Sequence, residues 1–374
     1  MTNSSLSSST PRLSAYAGND LASTRDIPVP DQFAEVPTLA LPEPRALATG
    51  ECGPRAVSAT VRKAGSVASC RAYRFRVASS AAIDGTMELF GEMSTQHEID
   101  EDSTLILLLA GGSNNSSYWD WPLDPERHSF VRHATNAGFV TLNLDRPGYG
   151  KSDRPDPTRM DFRAQAEAVR QVMAQLKSGA IGHRFKKVVV NGNSMGGMVA
   201  WHSVVDPSPA DAVIVSGVGH GLSDLAMDMV LNALQPVEEH PSFGLGCGLL
   251  PGYFIRRLSP ALPASGHDLY TLLFQDTVML AELKAIKPDS ENVEITKGIR
   301  VPVLFALGRH DLRWCTTTGD CSTDPVFLNE PQKYRPETDV TTFLVPEAGH
   351  LINKDPGAHF FFEKTIAWLQ ERGF

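Results

Sequence analysis

Read for the spacing of apolar and polar positions, the chain changes character near residue 70. Beyond it, Thr104 to Ala110 is a near-continuous apolar run. Similar short runs follow at Val140 to Leu144, Lys187 to Val190, Ala212 to Ser216, Val301 to Leu307 and Thr342 to Val345. Short apolar runs without alternation predict strands buried on both faces, as in a parallel sheet. Between them, Phe162, Val169, Val172, Met173 and Leu176 fall on one helical face. Near the end, Asp355-Pro356 predicts a helix start, followed by the stripe Phe362, Ile366 and Leu369. Upstream, Arg71 to Val77 and Thr86 to Met93 alternate around the turn-prone pair Asp84-Gly85, which predicts a hairpin. Strands alternating with helices imply the α/β class: a mostly parallel central sheet with helices on both faces.

Two stretches break this pattern. Residues 1–69 open on a Ser/Thr-rich segment and continue through a Pro-rich stretch from Ile27 to Pro44. They predict an irregular or disordered arm outside the chemistry. Residues 70–374 form the folded domain. Within it, from about residue 220 to 298, no buried-strand run occurs. Asp224 to Leu234 and Asp268 to Ile286 have helical spacing, with Pro251, Gly252, Pro260 and Pro263 between them. This predicts a mainly helical cap inserted into the domain.

Composition narrows the function. The chain of 374 residues has 42% hydrophobic and 21% charged residues, the balance of a soluble globular protein. Its net charge is −9 and it has no long Lys/Arg block, which argues against a nucleic-acid or anionic-membrane surface. The longest apolar run, Leu105 to Ala110, is too short to span a bilayer. The first thirty residues lack an apolar core of the signal-peptide kind, so a cytoplasmic protein is expected. The cysteines are Cys52, Cys70, Cys247, Cys315 and Cys321. Cys315 and Cys321 flank a short Thr/Gly-rich loop and are either a disulfide, which would argue for secretion, or two free thiols. Cys52 with Cys70 is a second pairing, for which free thiols are the preferred reading. No spacing matches a zinc or redox motif, and no metal or other cofactor is expected.

The chemistry centres on Gly192-Asn193-Ser194-Met195-Gly196, which follows the run Lys187 to Val190 and precedes a helix-forming stretch. A strand, a G-x-S-x-G turn and a helix together push the serine hydroxyl out at the carboxyl end of a sheet. Without that context the motif would be a Gly-rich turn with an incidental serine. A serine nucleophile needs a base, and the base needs an acid to orient it. Asp311 follows the run Val301 to Leu307, and His350 follows the next one, so both lie on loops opening beside Ser194. His310 competes poorly with His350, because adjacency to Asp311 points the two side chains apart. Asp224 is a second acid candidate. The Gly-rich loop Ala110-Gly111-Gly112-Ser113 presents Gly112 as an oxyanion donor beside Met195. Tyr118, Trp119 and Trp121 come next, and either line a substrate pocket or pack the loop onto the core.

At these residues the chain resembles the α/β-hydrolase family of the capped, single-domain type, over roughly residues 70 to 374. The resemblance is carried by Ala110-Gly111-Gly112, the loop Asp145-Arg146-Pro147-Gly148-Tyr149-Gly150-Lys151-Ser152, Gly192 to Gly197, Gly308 to Asp311 and Gly349-His350. It is similar to a bacterial and fungal subgroup with a Cys pair after the acid, many members of which carry export signals. Two positions depart from the family's pattern: Ala110 stands where His precedes Gly, and Asn193 where His is common in the elbow. The resemblance implies acyl transfer to water, with Ser194 as nucleophile, His350 as base and Asp311 as its orienter. A carboxylic ester or lactone is the expected small-molecule substrate, and the cap sets its identity. Competing chemistries on the same scaffold are a lyase or cyclase using His350 without an acyl-enzyme, a cofactor-free haloperoxidase-like activity, and a silent binding protein. Epoxide and haloalkane hydrolases resemble chains with Asp at the nucleophile, whereas this one has Ser194. The oligomeric state is not encoded in any pattern found.

Overall fold

A computed structural model describes residues 69–80, 83–122, 124–233, 235–236, 247–249 and 276–374. The strands are β1 (Ser69–Ser80), β2 (Ile83–Thr95), β3 (Thr104–Leu109), β4 (Val140–Leu144), β5 (Lys187–Asn193) and β6 (Ala212–Ser216). They continue with β7 (Gln235–Pro236), β8 (Cys247–Leu249), β9 (Val278–Met279), β10 (Val303–Gly308) and β11 (Val340–Val345). Eight of them form one sheet in the order β1-β2-β4-β3-β5-β6-β10-β11. β2 pairs antiparallel with β1 and with β4, and along the sheet from β4 to β11 every pairing is parallel. Every residue of β3, β4, β6 and β10 is buried. Successive side chains of a strand point to opposite faces, so both faces of the central sheet are covered. That is why β3, β6 and β10 read as nearly unbroken apolar runs; β4 also buries Thr141 and Asn143. β11 is the exception, half-buried along most of its length as befits an edge.

The predicted helices form for visible reasons. The helix Phe162–Ser178 is capped by the Asp161 carboxylate, which accepts from the Ala164 N–H, and it ends on Gly179 at φ 81°. Phe162, Val169, Val172, Met173 and Leu176 all lie on its buried side. The last helix runs from Ala358 to Glu371 and buries Phe362 and Leu369, with Ile366 half-buried. It starts later than Asp355 because that carboxylate accepts from the Gly349 N–H at 2.6 Å instead of capping the helix.

The structure corrects two expectations. Asp84-Gly85 is not the tip of the hairpin. β1 and β2 pair as far as Ser80 with Ile83, and the register shifts between Ala78 and Ser80. Gly85, at φ +84°, stands opposite that shift, where a bulge takes a residue in the left-handed region. Nor is the stretch after residue 220 free of strands. β7, β8 and β9 form a separate three-stranded antiparallel sheet, and Val278 and Met279 are extended and buried. Asp224–Ala233 is helical as expected, but the second helix spans Leu280–Glu291, so Asp276 to Met279 do not belong to it. Strands of two or three residues carry no periodic signal. The arm at 1–68 and residues 237–246 and 250–275 of the insertion lie outside the described residues. Among the described residues, no helix is long and apolar enough to cross a membrane.

Candidate active site

In the large sheet all strands from β4 to β11 point the same way, so the loops after β3, β5, β10 and β11 open on one side. β5 carries Ser194 at its end. The residue sits at φ 52° and ψ −121°, a strained conformation for a side chain with a Cβ. The turn is possible because its flanks are glycine. A Cβ on Gly192 would collide with the Gly196 carbonyl, and one on Gly196 with the Leu109 and Ala110 carbonyls. The Ser194 N–H donates to the Ser216 carbonyl at 2.8 Å, and the Asn193 amide donates to the same residue. The elbow is thus pinned to the end of β6.

The three distant residues meet. Ser194 Oγ lies 2.9 Å from His350 Nε2, and His350 Nδ1 lies 3.0 Å from Asp311 Oδ2 and 3.2 Å from Oδ1. Asp311 is fully buried, and Ser194 and His350 are nearly so. An ionised carboxylate only accepts, so Nδ1 carries the proton and Nε2 is left to accept from the serine O–H. Asp311 Oδ1 also accepts from the Arg313 N–H at 3.0 Å, and Asp355 holds the peptide before His350. Asp224 pairs with Lys287 on the surface, and among the described residues no hydrogen bond joins the His310 ring to Ser194 or Asp311.

Met195 opens the helix Met195–Ser203, so its N–H is one of those left without an acceptor inside the helix. The helix dipole adds partial positive charge there. The loop after β3 presses on this elbow. A Cβ on Gly111 would lie 3.0 Å from Ser194 Cβ, and one on Gly112 would strike the Met195 sulfur. Among the described residues the Gly112 N–H has no acceptor. The loop thus places Gly111 against Ser194 and Gly112 against the Met195 side chain.

The aromatic cluster takes the packing role. Tyr118, Trp119 and Trp121 have no exposed surface. Trp119 meets Tyr118 and Phe130 edge-on, and the Asn353 N–H donates to the Tyr118 hydroxyl at 3.4 Å. Trp121 lies under the Lys354 ammonium at 4.0 Å. These rings pack the loop after β3 onto the core and the His350 loop, and the three residues expected to line a substrate pocket have no exposed surface.

Several site-supporting residues escaped the sequence. Arg146 is buried and donates to the loop carbonyls of Ala110 and Gly111, and it pairs with buried Glu282 at 2.6 Å. Lys354 is buried and donates to Asn114 Oδ1 at 2.9 Å, while Asn114 donates to the Gly112 carbonyl. Burial pushes the Lys354 ammonium down to about 7, against the pull of Asp355. Asp145 is buried and raised to about 6 by desolvation, although the N–H groups of Lys151 and Ser116 donate to it. Beside the triad, burial likewise lowers the Arg313 guanidinium to about 10. The Asp145 to Ser152 motif was a signal for part of this, but nothing local marks Glu282 or Asn114. Cys315 and Cys321 form a disulfide that closes the loop after Asp311. Cys70 is also disulfide-bonded, against the free thiol expected there; Cys52 of the other pairing lies outside the described residues. Among the described residues, no group of His, Cys, Asp and Glu is arranged to hold a metal ion.

The family model described as the alpha/beta hydrolase family matches residues 106–359, more than half of the chain and nearly all of the site just described. The chain belongs to the alpha/beta hydrolase family. Solved structures agree on this hydrolase fold. An esterase from Exiguobacterium antarcticum is 17% identical, with a TM-score of 0.55, covering 77% of this chain and 97% of that one. A bromoperoxidase from Bacillus anthracis is 15% identical, with a TM-score of 0.55, covering 80% of this chain and 100% of that one. Epoxide hydrolase A from Mycobacterium thermoresistibile is 17% identical, with a TM-score of 0.51, covering 80% and 98%. At such identities the likeness speaks for the fold and leaves the chemistry to the site.

Proposed function

We propose that this alpha/beta hydrolase cleaves a carboxylic ester or lactone of a small molecule through an acyl-enzyme on Ser194. The observation that carries the reading is the unbroken hydrogen-bond chain from Ser194 Oγ through His350 to Asp311. The backbone N–H groups of Gly112 and Met195 are the oxyanion donors in this reading. In the first half-reaction, Ser194 Oγ attacks the acyl carbon while His350 Nε2 takes its proton. Asp311 keeps the imidazole in the right tautomer and stabilises the imidazolium. The Gly112 and Met195 N–H groups stabilise the tetrahedral oxyanion, each donor contributing on the order of 10²–10³ in rate. His350 then protonates the leaving alkoxide, and water repeats the sequence to release the acid. The insertion from about residue 220 to 298 serves as the cap that selects the substrate. The Cys315–Cys321 disulfide favours an oxidising compartment over the cytoplasm.

Rapid mixing with a p-nitrophenyl ester tests the chemistry. A burst of nitrophenolate matching the enzyme concentration, with the acyl group recovered on Ser194 by mass, is expected. A folded enzyme that turns over a substrate without any acyl-enzyme would replace this reading with lyase or cyclase chemistry.

A further inference from the structure

The oxyanion loop is held by its carbonyls. Arg146 Nε donates to the Ala110 carbonyl at 2.7 Å, and Nη2 to the Gly111 carbonyl at 3.3 Å. A trans peptide is planar, and its C=O and N–H point in opposite directions. Whatever fixes the Gly111 carbonyl therefore fixes the Gly112 N–H, aimed the other way. Arg146 occupies the carbonyl edge of the loop and leaves its N–H edge open.

Arg146 is itself immobilised. Its third donor site, Nη1, reaches Gln165 and Glu282 Oε1, the latter at 2.6 Å, and its guanidinium lies 4.1 Å from the centre of the Tyr149 ring. Glu282 also accepts from Gln165 Nε2 at 2.9 Å, from the Tyr149 hydroxyl, and from the Met279 N–H at 3.2 Å. Both charged groups are buried, at 1% and 0% exposure. A buried charge pair is weak evidence of stabilisation, since an apolar pair of the same volume often does as well. What an apolar pair does not do is donate to two consecutive carbonyls. Glu282 belongs to the segment returning from the insertion, and the Asp276 N–H of that segment also donates to the Ser113 carbonyl of the loop, at 3.1 Å.

We propose that Arg146 is a positioning residue for this reaction, holding the Gly112 N–H in register with the developing oxyanion, and that Glu282 locks Arg146 in place from the returning end of the insertion. The proposal rests on the reading of Ser194 and Gly112 above. It makes the oxyanion hole depend on a residue of the insertion that touches no substrate.

The test uses the full chain and the double variant Arg146→Met with Glu282→Gln. It removes the charge pair without leaving a lone buried charge; the amide oxygen introduced by Glu282→Gln takes the place of Oε2, where Tyr149 and the Met279 N–H donate, and its NH₂ group faces Gln165, whose amide turns over to accept once Arg146 is gone. Turnover of a p-nitrophenyl ester and inhibition by an alkyl boronic acid are measured together, because the boronate adduct of Ser194 places an oxygen in the oxyanion site. A fall in kcat of about 100-fold is expected, with KM changed by less than about threefold, and boronate affinity should fall in parallel with kcat. A merely structural role would not make boronate affinity follow kcat. If the double variant does not fold, Arg146→Lys carries the same test, since it keeps the charge opposite Glu282 but lacks the paired donors for the two carbonyls. Folded variants with wild-type kcat and boronate affinity would overturn the proposal alone. A wild type with neither an ester burst nor a boronate complex would instead overturn the reading of Ser194, and this proposal with it.

Discussion

Asp311→Asn is the perturbation whose outcome the geometry dictates most tightly. The exchange keeps size and shape, so everything depends on which way the amide turns. Asp311 Oδ1 accepts from the Arg313 N–H at 3.0 Å, and Oδ2 faces His350 Nδ1 at 3.0 Å. The buried backbone donor demands an oxygen, which places the new NH₂ group against the imidazole. That NH₂ donates to Nδ1 and forces the ring proton onto Nε2, where it opposes Ser194 instead of accepting from it. Turning the amide over would set NH₂ against the Arg313 N–H. An unsatisfied buried donor costs about 1–3 kcal/mol. At ~1.4 kcal/mol per tenfold, the productive tautomer falls to about one part in ten to one in a hundred. That fraction has also lost the carboxylate that stabilises the imidazolium, and the two effects together bring kcat down by about 10³–10⁴-fold. Stability should change by less than about 1 kcal/mol, since the packing is unaltered. Steady-state kinetics on a p-nitrophenyl ester, with the His350 tautomer read from its ring ¹⁵N shifts, checks both halves. A variant within tenfold of wild type, or one keeping the proton on Nδ1, would refute the reasoning.

Three other perturbations have expected outcomes. Gly196→Ala would place its Cβ against the Leu109 and Ala110 carbonyls, both backbone, and should cost at least about 2 kcal/mol in urea unfolding; a wild-type midpoint would contradict the packing of the elbow. Replacing Cys315 and Cys321 by Ser opens a loop with a sequence separation of 6 and should cost about 2 kcal/mol, seen as a lower Tm; an unchanged Tm would count against the bridge. Lys354 titrates near 7 when folded but near 10.5 when unfolded. Between those values the unfolded chain binds more protons, so burial of this lysine makes stability rise with pH, by at most about 1.4 kcal/mol per pH unit. Lys354→Met should lose this slope, and parallel urea midpoints for wild type and variant from about pH 7 to 10 would disprove it.

The legible parts of the molecule were those in which one local requirement dominates. β3, β6 and β10 announce themselves because burial on both faces favours apolar side chains along their length, and β4 does so less plainly because it buries Thr141 and Asn143. Ser194 was legible because its turn admits only glycine at Gly192 and Gly196. Asp311 and His350 follow from their places after successive strands. What stayed hidden depends on neighbours far along the chain. Asp355 reads locally as a helix cap, yet the Gly349 N–H claims it. The bulge at Gly85 depends on pairing between strands, which the Asp84-Gly85 dipeptide alone does not reveal. Arg146 and Glu282 are separated by 136 positions, so no periodicity joins them. Tyr118, Trp119 and Trp121 show the same limit, since aromatic rings suit a pocket and a core equally well. Only packing against Phe130, Asn353 and Lys354 decides between the two.

Every step of the proposed reaction requires Ser194 to be an activated nucleophile. Intact mass after incubation with a fluorophosphonate, for wild type and Ser194→Ala, tests it most directly. A single adduct on wild type that maps to Ser194, and none on the folded variant, is the predicted result. A folded wild type that takes up no probe, or an adduct that persists in Ser194→Ala, would contradict the account.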